Sequence, residues 1–169
     1  MIDPGTKEGG EEYMAYNRRR WGSDGWTHSM RAKGAKVGAP FADWKTWPNT
    51  LKAHRLMYFG GEEYANALKG ALFDACYERG ENISDVECLA VVASRVGLEA
   101  AAARAYLLSD QGKTEVAAEC QSASRSGVTG VPYFIVDGDH VERPYGFSGA
   151  VDSGSLLNVF NEVSGREAN

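Results

Sequence analysis

Cysteine is scarce in this chain, and the three present, Cys76, Cys88 and Cys120, are widely spaced. An odd, scattered set excludes a disulfide framework and the close ligand pairs of a structural zinc site. No two cysteines stand at Cys-x-x-Cys spacing. Also missing is any apolar run approaching the roughly 18 residues of a membrane span. Positive charge is short as well: 18 lysines and arginines against 23 aspartates and glutamates leave a net charge of −5. That excludes the basic field of a nucleic-acid partner. Arg18-Arg19-Arg20 is the single basic run and, following "EEYMAY", reads as a solvated helix face. The opening "MIDPGTKEGG" has neither the basic head nor the apolar centre of a secretory signal. Internal repeats and low-complexity tracts are lacking too. These absences lead us to expect a cytoplasmic protein with no metal site. What is present is ordinary globular material, 43% hydrophobic and 11% aromatic over 169 residues, enough for a core without staples.

Periodicity predicts helices over most of the chain. "EEYMAYNRRRWG" reads as a helix stopped by Gly22, and residues 22–48, with their glycines, prolines and tryptophans, read as a long packed loop. "PNTLKAHRLMYF" is expected to start a helix capped at Asn49. "EEYANALKGALFDACYERG" places Tyr64, Leu68, Leu72, Ala75 and Cys76 on one stripe and ends at Gly80. A capping box from Ser84 to Glu87 opens "SDVECLAVVASRVG", whose inward positions are Val86, Leu89, Ala90 and Ala93. "LEAAAARAYLL" and "TEVAAECQSASRSG" follow, the latter with Val116, Ala117 and Cys120 inward. From residue 127 the period changes. "YFIV", Asp137-Gly138 and "HVERPYGF" read as a hairpin with a tight turn, and "DSGSLLNVFNEVSG" as a closing helix with Leu156, Leu157, Phe160 and Val163 at helical spacing.

Pro132 stands at the mouth of the apolar run Tyr133–Val136, where a proline, lacking an amide hydrogen, interrupts a strand ladder. The stretch "GVTGVPYFIVDG" resembles the loop of the DsbA-like thioredoxin domain, in which the Val-Pro bond is cis. "WPNTLKAHRL", "LFDACYERGENISDVECLAVVASRVGL" and "YLLSDQGKTEV" are similar to the helical insertion of its FrnE branch, DsbA-family oxidoreductases akin to 2-hydroxychromene-2-carboxylate isomerases. The similarity extends from about Met1 to Val163. It implies an α/β protein of thioredoxin-like fold, N-terminally incomplete, with a large all-helical insertion. The corresponding divisions are a strand remnant over residues 1–7, the insertion over 8–111, the C-terminal half of the thioredoxin fold over 112–165 and a tail over 166–169.

The resemblance implies thiol–disulfide exchange as the activity and a thiol- or disulfide-bearing peptide or small molecule as the partner. Proline makes a cis bond inexpensive, about 0.5–1 kcal/mol. In the family the main chain beside it pairs with the substrate like an added strand. Gly130, Val131 and Pro132 are the substrate-binding residues so implied, with Asn49, His54 and Ser148 as candidates bordering the same groove. By its own sequence context His54 reads first as a packing or capping residue. The catalytic Cys-x-x-Cys of relatives is absent, and by the family pattern its segment would lie upstream of Met1. No catalytic residue is therefore assigned, and the chain as it stands is expected to be inactive. Cys76, Cys88 and Cys120 read as core residues.

The alternative readings are a glutathione-dependent isomerase or transferase of the kappa type, with "FSGAVDSGS" offering Ser148, Asp152 or helix-terminal amides to glutathione, and a non-catalytic binding remnant. No cofactor is expected beyond glutathione as a ligand. In the family the strand Tyr133–Val136 lies beside the first strand. Without that neighbour its edge is predicted to self-associate, unless the loop with Phe41, Trp44 and Trp47 covers it.

Overall fold

The structure, a computed structural model, describes residues 5–166. The expected strand remnant thus lies partly, at Met1–Pro4, and the tail mostly, at residues 167–169, outside the described residues. The chain divides into two compact units, one ending at Ala118 and the other beginning at Glu119.

In the first unit, Glu11–Glu12 (β1) pairs antiparallel with Thr46–Trp47 (β2). Helix α1 (Tyr13–Trp21) starts where the Glu12 carboxylate accepts the Met14 and Ala15 amides, and it stops at Gly22 in the left-handed region. Residues 22–48 are not the continuous loop that the sequence suggests, since α2 (Trp26–Lys36) runs through them. Only Thr27 and Gly34 of α2 are buried, so it carries no apolar stripe for periodicity to reveal. Gly34 lets the Ala39 carbonyl and the Phe41 ring approach where a Cβ would stand. The rest of the segment is held by stacked rings. Tyr13 lies on Trp44 at 4.1 Å and Tyr16 on Trp47 at 4.2 Å, while Tyr77 meets Trp44 edge-on at 4.6 Å. The Glu78 carboxylate accepts the Phe41 and Ala42 amides, and Arg31 donates to the Phe41 and Trp44 carbonyls.

Helix α3 (Leu51–Phe73) contains both predicted helices, broken at Gly61, whose φ of 64° and ψ of −169° suit glycine alone. It continues as a π-helical turn, Asp74–Glu78. Thr50, not Asn49, is its N-cap, although the Asn49 side chain still accepts the Leu51 amide. Helix α4 (Val86–Arg95) likewise begins one residue later than the capping box predicts. Asp85 caps the Cys88 amide because the Ser84 hydroxyl is already engaged by the Asn49 amide. Helix α5 (Ala100–Leu108) packs against α4, and α6 (Lys113–Arg125) follows. Leu56, Leu68, Leu72, Ala75, Cys76, Leu89, Val92, Ala93, Ala103 and Leu107 form the core. Val116 of α6 is buried as predicted, but Ala117 is exposed and Cys120 only half-buried.

In the second unit Tyr133–Val136 (β3) pairs antiparallel with Tyr145–Ser148 (β4), and α7 (Ser153–Val163) closes the chain. The hairpin is as predicted, but its turn is not. Residues 137–144 form a loop, because Gly138 lacks the positive φ of a tight hairpin turn and Pro144 has no amide to begin the ladder earlier. Among the described residues β4 is the only strand paired with β3. The rings of Phe41, Trp44 and Trp47 stack with one another and with Tyr13 and Tyr16 within the helical unit.

Candidate functional site

Pro132 enters β3 through a cis peptide bond from Val131. Its carbonyl accepts the Gly149 amide at 2.9 Å, fixing the start of β3 against the end of β4. One residue earlier the backbone is open: among the described residues neither the Val131 amide nor its carbonyl has a hydrogen-bond partner, and the residue is 72% exposed. Ser148, on β4, lies opposite Tyr133 and is exposed, and Gly130 is half-buried. The Asp152 carboxylate accepts the Ser155 amide at 3.0 Å and its hydroxyl at 2.7 Å, so it serves as the N-cap of α7.

Asn49 and His54 belong to the other unit, and the structure sets them in two separate cavities. Asn49 is a structural tie. Its amide donates to the Ser84 hydroxyl, its Nδ2 to the Thr6 carbonyl, and its Oδ1 accepts from Leu51. His54 is exposed at the rim of a cavity of about 300 Å³ floored by Ala53, Met57, Leu72, Cys76 and Ile83.

Cys76 and Cys88 offer no activated nucleophile. Burial pushes the Cys76 thiol up to about 12, with Cys88 a lesser influence. Burial, then the carboxylates of Glu81 and Asp85, push Cys88 up to about 11. An attacking thiol needs the opposite surroundings, electropositive and open to solvent. All three cysteines are free, and no group of three or more metal-ligating side chains gathers among the described residues.

Sequence reasoning overlooked Arg55. It is 1% exposed and donates to four carbonyls, those of Gln111, Leu107, Tyr106 and Ser109, at 2.7–3.1 Å. The last carbonyls of α5 lack intrahelical donors, and the negative end of the helix dipole favours a cation there. Its place between the buried Ala53 and Leu56 was the available signal, because a charge on an inward face needs a polar destination. The Tyr13 hydroxyl and Asn17 Oδ1 are buried without a partner of good geometry among the described residues. Burial raises the Tyr13 phenol, an effect that Arg31 and the nearby Asn17 partly offset.

No helix of the described residues is long and apolar enough to cross a membrane. No curated protein matches the chain. The structure is similar to the crystal structure of a probable DsbA oxidoreductase from Streptomyces coelicolor, with a TM-score of 0.74 and 24% sequence identity over 99% of this chain and 74% of that one. This likeness establishes a thioredoxin-like DsbA fold, here with most of the chain in helices. The family model described as the DSBA-like thioredoxin domain matches residues 26–159, a span holding the helical core, the Val131–Pro132 loop and the hairpin, and the chain therefore belongs to that family.

Proposed function

We propose that this chain acts in thiol–disulfide exchange as a FrnE-like member of the DsbA family, receiving an extended thiol- or disulfide-bearing peptide along Gly130, Val131 and Pro132. The observation that carries this reading is the open main chain of Val131. A donor and an acceptor without partners at the mouth of a strand are what an incoming peptide backbone takes up as an added strand. Ser148 flanks that position on the neighbouring strand. β3 has a free edge among the described residues, to which a guest strand or a second copy could add. The three free cysteines support a reducing, cytoplasmic setting.

With no Cys-x-x-Cys in these 169 residues, and with Cys76 and Cys88 held as thiols, we read this polypeptide as one that binds without turnover. The test is an insulin-reduction assay run beside an amide-resolved titration with a disulfide-bearing peptide. The expected result is a rate equal to the protein-free control together with a shift of the Val131 amide. Sustained turnover would contradict the inactive reading, and an unmoved Val131 amide would contradict the docking. Glutathione is the competing guest. Heat released on titration to millimolar glutathione, without a response to the peptide, would favour the isomerase or transferase alternative instead.

A further inference from the structure

The residues lining the cavity at α3 all belong to the helical unit. The cavity opens between the two arms into which Gly61 divides α3. Ala53 and Met57 come from the first arm and Leu72 and Phe73 from the second, with Ile83 and the π-helical Cys76 and Tyr77 completing the wall. Its volume of about 300 Å³ is at the lower end of small-molecule sites, and its walls are mostly apolar.

The charges around it are one-sided. In a chain of net charge −5, Lys69 is the one lysine or arginine lining this cavity, which is also lined by His54 and by no aspartate or glutamate. Three further cavities of this unit each include at least one carboxylate residue: Glu81, Asp85 and Glu87 in one, Glu8 in a second, and Glu8, Asp85 and Glu87 in a third. Among the described residues the lysines in salt bridges are Lys45, Lys52 and Lys113, so the ammonium of Lys69 has no fixed counter-charge. Burial raises both Cys76 and Tyr77 to about 12, which keeps the interior wall uncharged at neutral pH.

We propose that this cavity binds a small apolar carboxylate, its hydrocarbon part against Ala53, Met57, Leu72 and Ile83 and its carboxylate at Lys69 beside His54. A cation would meet only repulsion there, and a neutral molecule would forgo the charge-assisted contact. The deciding experiment is calorimetric titration of the full chain with octanoate, octanol and octylammonium. Octanoate is expected to bind with Kd below about 1 mM, and octanol about tenfold more weakly. Lys69→Ala, on an exposed position, is expected to weaken octanoate about tenfold while leaving octanol unchanged. Ala53→Leu, which narrows the cavity, is expected to weaken both. Equal binding of octanoate and octylammonium, no octanoate binding to a folded chain, or an octanoate affinity indifferent to Lys69→Ala would each overturn the proposal. None of these outcomes bears on the Val131 amide, so this site and the peptide-docking reading fail separately.

Discussion

Leu56, Leu68, Leu89, Val92, Ala93 and Ala103 in the helical unit are shielded completely from water, whereas Val131, Ile135, Leu157 and Phe160 in the other unit are 72%, 67%, 58% and 49% exposed. Of the apolar residues from Glu119 onward that are described, only Val163 is buried. The contrast follows from what each unit can enclose. Antiparallel helices with short connections bury a stripe from each neighbour, while one hairpin and one helix cover a single face at most. The hairpin unit keeps apolar surface and open backbone available, the features on which the proposed peptide docking rests.

The largest break in this comparison is expected at Arg55. Arg55→Met preserves bulk but removes the donor to the carbonyls of Tyr106, Leu107, Ser109 and Gln111 in and just beyond the last turn of α5, and should cost the helical unit about 3 kcal/mol or more in urea unfolding. An unchanged midpoint would mean that water reaches those carbonyls. A matched pair of truncations comes next. Leu89→Ala, in the core of the helical unit, should cost about 2–5 kcal/mol, whereas Leu157→Ala, on the exposed face of α7, should stay within about 0.5 kcal/mol. Equal costs would erase the distinction between the units.

The smallest expected effect concerns Glu81. The Arg95 guanidinium, hydrogen-bonded at 2.7 and 2.8 Å, holds its carboxyl below the ordinary value of 4.5. A lowered folded-state value contributes stability that is complete above 4.5 and is lost as the pH falls through the lowered value. Because the pair is partly solvated, this amounts to about 0.5 kcal/mol. Melting temperatures at pH 7 and pH 3 should therefore differ less in Glu81→Gln than in the parent chain, and an identical pH dependence would dismiss the pair.

The same contrast governs what could be read in advance. The stripe of Leu68, Leu72, Ala75 and Cys76 and the αL stop at Gly22 were legible because they rest on spacing and local backbone freedom. Helix α2 was not, since it buries only Thr27 and Gly34 and is held instead by the Phe41 ring at Gly34 and by Arg31 donating to the Phe41 and Trp44 carbonyls. The capping register at Ser84 shifted because Asn49, 35 residues upstream, holds its hydroxyl. The hairpin was legible in "YFIV" and "YGF", and its loop was misread because an Asp-Gly pair is only a tight turn when both strands can continue beside it.

Residue order by itself determined the helical period, the proline before a strand, the scarcity of cysteine and the family to which these belong, since each is a property of neighbours along the chain. Tertiary structure alone decided that Arg55 is a buried cap, that Asn49 and His54 face different cavities, and that Lys69 lines the same cavity as His54. Burial and charge at those places arise from segments brought together across the Gly61 break, which no local pattern encodes.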